Sequence, residues 1–244
     1  MTSIDINCDM GEGMGNEDQL MPYISSCSIA CGGHAGDLDS IKRVIGLAQQ
    51  HQVKIGAHPS YPDRANFGRK TMSIPPDTLI DRIRAQLERF MTVAKEMDAI
   101  CHHIKPHGAL YNDIARDEAL AQVFLTAIEV YKSIPLYVPY ASVIQKAAEQ
   151  QEFKVITEAF LDRRYHQNLQ LVSRNATNAL IQHPEQVFEQ LNTIVNKRQV
   201  ATVEGITVEL QACTFCIHGD TSEALKILVY LQQQMKRAHI ILTK

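Results

Sequence analysis

Short apolar segments alternate with longer amphipathic ones along almost the whole chain. The apolar segments have the length of buried strands and lie at residues 4–8, 27–31, 53–57, 100–104, 136–138, 154–157 and 212–217. In the longer segments apolar residues recur every three or four positions, which is typical of helices that bury one face. These segments lie at residues 37–50, 77–97, 117–131, 141–150, 185–196 and 223–236. The alternation predicts parallel strands joined by helical crossovers.

About seven predicted strands leave two α/β architectures open, a doubly wound sheet and a closed β/α barrel. No composition shift or Pro/Gly/Ser-rich linker divides residues 1–244, so we expect a single domain. A Glu-Gly pair between β-branched residues predicts a small hairpin around residues 200–210, inserted before the last strand. Residues 160–174 have weak periodicity and are expected to form a long loop.

Polar side chains follow the predicted strands at their C-terminal ends, and no comparable set precedes them. In parallel β/α folds these ends lie together, and active sites form there. Alternation within a strand places residues two apart on one face, as for Asn7 and Asp9, Lys105 and His107, and His218 and Asp220. The other polar residues at these ends are His34, Asp37, His58, Arg69, Glu158, Asp162 and Arg163.

Such a set is expensive to bury unless its members satisfy one another or a ligand, since each unpartnered group costs about 1–3 kcal/mol. We therefore predict a ligand site where these side chains converge. For Asp37 alone, capping of the following helix is an equally good explanation.

Composition limits the classes of function. The 24 basic and 27 acidic residues give a formal charge of -3, which argues against nucleic-acid binding. No apolar segment approaches the roughly 20 residues of a membrane span, and no secretory signal is evident. The six cysteines are then expected to be reduced thiols in a cytoplasmic protein. Cys213 and Cys216 have CxxC spacing but face opposite sides of a strand, so buried thiols are expected rather than zinc ligands.

Several segments, in this order and spacing, resemble motifs of the LamB/YcsF family. They are DINCDMGEG at 5–13, IACGGHAGD at 29–37, GAHPSYPD with FGR within 56–69, KPHGALYN at 105–112, EAFLDRRY at 158–165 and CIHGD at 216–220. The likeness spans nearly the whole chain. It implies a seven-stranded parallel β/α barrel of the glycoside hydrolase/deacetylase type, a distorted TIM-like barrel.

The resemblance also implies an activity, that of the A subunit of bacterial ATP-dependent 5-oxoprolinase. With B and C subunits, this enzyme converts 5-oxo-L-proline, water and ATP into L-glutamate, ADP and phosphate. The sequence contains neither GxGxxG nor a Walker-type phosphate loop. ATP is therefore expected to bind mainly to the partner subunits or to an unrecognised basic pocket.

Lactam opening through a phosphorylated amide needs cations for the developing charge, a base for water and an acid for the leaving nitrogen. Asp9 is the predicted general base. The other predicted catalytic residues are His34, His58, Lys105, His107 and His218. The predicted substrate-binding residues are Asn7, Asp37, Arg69, Tyr111, Glu158, Asp162, Arg163, Arg174 and Asp220.

Two other functions remain open at this point. A metal-dependent deacetylase of amides or carbohydrates would use Asp9, His34 and His58 as ligands of a divalent ion, with an open position for water. A non-catalytic subunit would bind the substrate and present it to a partner. The spacing of the motifs cannot separate these alternatives.

The chain departs from the family's usual pattern at a few positions. Gly33 replaces an aromatic residue, Leu38 a Pro, Cys213 an Asp, Asn168-Leu169 an Asp-Gly turn, and Ser173 a Pro. These changes are expected to affect the shape of the pocket and the loop before Arg174.

Overall fold

Parallel strands form the centre of the computed structural model, which describes residues 2–174, 176–221 and 223–244. The strands in these residues are β1 (Thr2–Met10), β2 (Ser26–Ala30), β3 (Lys54–His58), β4 (Cys101–Ile104), β5 (Leu136–Pro139), β6 (Val155–Phe160), β7 (Gln199–Ala201), β8 (Thr207–Glu209), β9 (Thr214–Cys216) and β10 (Ile240–Leu242). Strands β1 to β6 pair in order, and β9 pairs with both β6 and β1. The seven-stranded closed barrel is thus confirmed, and the open sheet is excluded.

Helices surround this barrel. They are α1 (Glu17–Leu20), α2 (Leu38–His51), α3 (Pro76–Glu96), α4 (Gly108–Ile114), α5 (Glu118–Ile128), α6 (Val143–Gln150), α7 (Pro184–Lys197) and α8 (Ala224–Arg237), with 3-10 turns at Met21–Tyr23 and Glu129–Tyr131. Side-chain caps explain three of the starts, because Asp37, Asp117 and Ser142 accept backbone N–H groups of the first turns of α2, α5 and α6. The short helix α4 is not predicted by the hydrophobic pattern.

The period of two along β1 separates the apolar core from the barrel interior. Ile6 and Cys8 belong to the hydrophobic core. On the other face, Asp5 accepts a hydrogen bond from the Thr214 hydroxyl of the neighbouring strand β9, and Asn7 donates one to the same hydroxyl. This alternation places polar side chains of β1 inside the barrel, and the last of them, Asp9, lies at the C-terminal mouth of the barrel.

Two additions complete the strand pairing. Strands β7 and β8 form an antiparallel pair in the region where the sequence predicts a hairpin. Strand β10 pairs in parallel with Thr2–Ile4 at the start of β1, which the sequence pattern does not predict. No helix within the described residues has both the length and the apolar composition needed to cross a bilayer.

Candidate active site

A buried ammonium group lies at the C-terminal mouth of the barrel. Lys105 directly follows β4, and its Nζ lies 2.9 Å from Glu158 Oε1, 3.0 Å from Asp9 Oδ1 and 3.1 Å from Asn7 Oδ1. Cys216 Sγ lies 3.2 Å away. Burial acts to lower the pKa of Lys105, but the charges of Asp9 and Glu158 outweigh it and raise the pKa well above its usual value. The lysine is therefore a permanent cation that groups from three strands, β1, β6 and β9, surround.

Asp9 lies between this lysine and His58. Its Oδ2 is 3.4 Å from His58 Nε2, on the side away from the Lys105 contact. Burial acts to raise the pKa of the Asp9 carboxyl, but the charges of His58 and Lys105 outweigh it and hold the pKa well below its usual value. A carboxylate with so low a pKa takes up a proton poorly near neutral pH, so Asp9 is a weak base.

Three imidazoles and a carboxylate form a second cluster beside Asp9. His34 follows β2, His58 ends β3, and His107 directly precedes α4. The rings of His34 and His107 stack in parallel with centroids 3.6 Å apart. The carboxylate belongs to Glu12, which sequence reasoning missed although it lies in the DINCDMGEG motif. Glu12 Oε1 is 2.9 Å from His34 Nε2 and 3.3 Å from His107 Nδ1.

Burial dominates the protonation of this histidine cluster. It lowers the pKa of His34 and of His107 well below the usual histidine value, and neighbouring imidazoles lower both further. Burial likewise raises the pKa of the Glu12 carboxyl. Two backbone carbonyls orient the rings: His58 Nδ1 lies 2.6 Å from the oxygen of Lys105, and His107 Nε2 lies 2.9 Å from that of Phe67.

His218 and Asp162 form a hydrogen-bonded pair on the other side of the mouth. His218 Nδ1 lies 2.9 Å from both carboxylate oxygens of Asp162, which also accepts the His218 backbone N–H at 3.0 Å. Burial acts to raise the pKa of Asp162, but the charge and hydrogen bonds of His218 outweigh it and lower the pKa. A carboxylate at Nδ1 leaves Nε2 of a neutral imidazole as the proton acceptor. The pair thus has the arrangement of an oriented general base.

A carboxylate at the rim holds two arginines. Arg174 donates two hydrogen bonds to Asp220, at 2.7 and 3.0 Å, and Arg69 forms an ion pair with the same side chain. Burial acts to raise the pKa of Asp220, but the Arg174 hydrogen bonds outweigh it and lower the pKa. Arg163 is buried nearby and donates to the carbonyl of Val172 at 2.6 Å.

These groups enclose a cavity of about 220 Å³. Its lining includes Asp9, His58, Arg69, Lys105, His107, Tyr111, Phe160, Arg163, Arg174 and His218. Phe160 supplies an apolar wall, since its ring stacks on His218 with centroids 5.3 Å apart. Tyr111 is buried beside Glu158, whose negative charge adds to burial in raising the pKa of the Tyr111 hydroxyl. A cavity with cationic and basic groups and an apolar wall is suited to a small anionic or amide-containing molecule.

Some of the predicted residues lie outside this cavity. Asp37 is exposed and caps α2 through Ser40, which is the alternative explanation that the sequence allowed. Asp162 lies behind His218, and Asn7 lies below Lys105. His34 packs behind His107, against Glu12. Apart from Asp37, these side chains contact and position other groups of the site.

The departure at Gly33 has a structural counterpart in Gln86. A side chain at position 33 would collide with the Gln86 amide and the Ser60 hydroxyl. Gln86 is buried and its amide bonds both the N–H and the carbonyl of Ser60, at 3.0 and 2.9 Å. In this chain a glutamine therefore fills space that an aromatic residue at position 33 would need.

The other departures lie at the surface or at the rim. Leu169 has a φ of 63°, so the turn keeps the left-handed conformation that glycine favours. Leu38 and Cys213 are exposed, which corrects the expectation that Cys213 is buried, because it lies before β9 rather than in it. Ser173 lines the cavity next to Arg174.

Comparison with known proteins supports one family. The family model described as LamB/YcsF matches residues 4–244. The A subunit of 5-oxoprolinase from Bacillus cereus (strain AH187) is 40% identical over 233 residues, covering 93% of this chain and 92% of that protein. The protein of the same name from Haemophilus influenzae (strain PittEE) is 34% identical over 244 residues, with complete coverage of both.

A solved structure supports the same conclusion. The lactam utilization protein from Thermus thermophilus matches with a TM-score of 0.91 and 30% identity, covering 100% of this chain and 99% of that one. Barrel, strand-end motifs and whole-length similarity agree, and the chain belongs to the LamB/YcsF family.

Proposed function

We propose that this chain is the A subunit of an ATP-dependent 5-oxoprolinase and works in the cytoplasm with B and C subunits. The reaction would hydrolyse the lactam of 5-oxo-L-proline to L-glutamate while ATP is converted to ADP and phosphate. Relatives that carry the name of the 5-oxoprolinase A subunit, 34–40% identical over nearly their whole length, support this assignment. The observation that carries it is the cavity that joins the oriented His218 to Lys105 and three arginines.

The chemistry of a lactam explains the need for ATP. An amide carbonyl resists attack by water, and transfer of the terminal phosphoryl group to the amide oxygen makes the ring carbon a better electrophile. Water then adds to that carbon, and the ring C–N bond breaks as the nitrogen takes a proton, which leaves the new carboxyl group as an acyl phosphate. A second water molecule hydrolyses this acyl phosphate to L-glutamate and phosphate. Arg69 and Arg174 are suited to an anionic carboxylate or phosphoryl group, since guanidinium groups bind such anions in a forked geometry.

We assign the base for water to His218 rather than to Asp9. Asp162 holds His218 with Nε2 as the acceptor, and the ring borders the cavity. Asp9 is held as a carboxylate by Lys105 and His58, and its role in this scheme is electrostatic. The ion pair between Asp9 and Lys105 also argues against a deacetylase in which Asp9, His34 and His58 bind the metal ion.

Reconstitution tests the proposal. The chain is mixed with purified B and C subunits, 5-oxoproline and ATP, and both glutamate and ADP are measured. We expect both products in equal amounts, in the full mixture only. Metal-dependent release of acetate from acetylated amino sugars by the chain alone would instead establish the deacetylase.

One substitution tests whether His218 takes part in the reaction itself. His218→Gln removes the base while the fold is checked by circular dichroism. We expect the variant to bind 5-oxoproline but to form glutamate at less than about a hundredth of the normal rate. A normal rate would show that His218 is not the base.

A further inference from the structure

The histidine cluster directs four donor atoms toward one point at the edge of the cavity. Besides the two Glu12 contacts given above, His58 Nε2 lies 3.0 Å from His107 Nδ1 and 4.0 Å from Glu12 Oε1. These three atoms and His34 Nε2 all lie within 4.8 Å of one another. Ligands of a tetrahedral zinc ion, bound at about 2.0–2.2 Å, lie about 3.3–3.6 Å apart. The observed separations bracket that range.

The contact between His58 and His107 lacks a proton when both rings are neutral. His58 Nδ1 donates to the carbonyl of Lys105, and His107 Nε2 donates to that of Phe67. With a single N–H on each ring, the lone pairs of His58 Nε2 and His107 Nδ1 would face each other at 3.0 Å. A cation between them converts repulsion into attraction. Backbone carbonyls that orient the far nitrogen are the usual partners of metal-binding histidines.

We propose that Glu12, His34, His58 and His107 bind one divalent first-row transition-metal ion, with zinc as the best match to three imidazoles and a carboxylate. His58 and His107 line the cavity, so the ion would border it and could take an oxygen atom of a bound molecule. Binding requires His34 to carry its proton on Nδ1, which is buried and has no partner among the described residues.

This ligand set differs from the one suggested by the sequence, in which Asp9 was a ligand. Asp9 also forms a second group of potential donors with Cys216 and His218. The ammonium of Lys105 lies 3.0 Å from Asp9 Oδ1 and 3.2 Å from Cys216 Sγ. A lysine cation already occupies the position that a metal would need there, so that group is excluded as a second metal site.

Metal content of the untagged full-length chain tests the inference. Bound metal is removed from the protein with a chelator. The protein is then incubated with excess zinc and dialysed, and its zinc content is measured by inductively coupled plasma mass spectrometry. We expect about one zinc ion per chain and a melting temperature that rises with zinc concentration, because an ion that binds only the folded state stabilises it. Glu12→Gln and His107→Gln should each weaken zinc binding at least about tenfold. His183→Gln, which changes an exposed histidine, should bind zinc normally.

Circular dichroism establishes that each variant is folded before its affinity is measured. Equal zinc uptake by wild type, Glu12→Gln and His107→Gln would overturn the inference, since the metal would then lie elsewhere. A chain that retains no zinc, and whose nuclear magnetic resonance spectrum shows a proton shared by His58 and His107, would overturn it as well.

The inference is independent of the proposed function, because metal content is measured on the isolated chain. Zinc binding without glutamate formation in the reconstituted mixture would contradict only the proposed function. Glutamate formation by a chain that binds no zinc would contradict only the metal site.

Discussion

At the scale of single residues, the orientation of His218 depends on Asp162. The buried carboxylate fixes the proton on Nδ1 and holds the ring, which stacks on Phe160 and borders the cavity. An asparagine at position 162 keeps the size of the side chain but removes the charge and can present an N–H to Nδ1, which favours the wrong tautomer.

We therefore expect Asp162→Asn to lower kcat of the reconstituted complex by about 10²- to 10⁴-fold. Glu204→Gln is the matched control, since Glu204 pairs with the half-exposed His166 away from the cavity. Equal, small effects of both substitutions would contradict the assigned role of Asp162.

Lys105 holds charges whose burial would otherwise be unfavourable. Lys105→Met leaves Asp9 and Glu158 buried without their cation. We expect the free energy of unfolding to fall by about 3–5 kcal/mol in urea titrations. Lys42→Met, which breaks an exposed pair with Glu96, should cost at most about 1 kcal/mol. A small loss for Lys105→Met would show that the buried pairs do not stabilise the fold.

At the scale of elements, a close backbone approach positions His107. Gly108, with a φ of +60°, begins α4 against Gly68, and a Cβ at position 108 would lie 2.6 Å from the Gly68 carbonyl oxygen. The same loop presents the Phe67 carbonyl to His107. A side chain at position 108 would therefore push the loop away from the histidine that it orients.

We expect Gly108→Ala to lower the free energy of unfolding by more than Gly205→Ala does, as measured by urea titration. Gly205 also has a positive φ, +80°, but no atom lies near its added Cβ. The control thus isolates the backbone cost of a left-handed alanine, about 1–2 kcal/mol. Equal decreases in the free energy of unfolding would contradict this prediction, because they would mean that the loop moves away at no energetic cost.

Most of the elements could be predicted from the sequence because burial sets their periodicity. Barrel strands and long helices begin and end within a few residues of the predicted positions. Three short elements are not predicted, for physical reasons. Helix α1 has only four residues, too few for a hydrophobic repeat. Helix α4 is only seven residues long and begins directly after His107, so it is too short for a hydrophobic repeat. Strand β10 is only three residues long, and it is a strand because it pairs with β1, which the local sequence pattern does not show.

Most residues of the site could be predicted from the sequence, but the contacts between them could not. Strand-end placement located Asp9, His58 and Lys105, because parallel strands bring their carboxyl ends together. Sequence alone does not show which side chain faces which. Glu12 was missed because it lies past the end of β1, and only the turn around Gly11 and Gly13 brings it back to the histidines.

At the scale of the whole molecule, Asp220 ties together loops that are distant along the chain. It binds Arg174 from the loop before α7 and Arg69 from the loop after β3. Its pKa is lowered in the folded protein, so its contribution to stability is complete above the ordinary aspartate value of about 3.9 and is lost as the pH falls below it.

Asp220→Asn should therefore lower the free energy of unfolding by about 1–3 kcal/mol at pH 7. The difference from wild type should shrink as the pH falls below about 3.9, because protonation then removes the charge from the wild type too. Urea titrations of both proteins over a series of pH values measure this. A difference that stays constant down to the lowest pH would contradict the ionic role of Asp220.

A crystal structure of the chain soaked with 5-oxo-L-proline would examine the mouth of the barrel most directly. The account predicts the ligand in the cavity of about 220 Å³, with its ring between His218 and His107 and its carboxylate toward Arg69 or Arg174. Clear density for the ligand at another surface, with this cavity empty, would contradict the account.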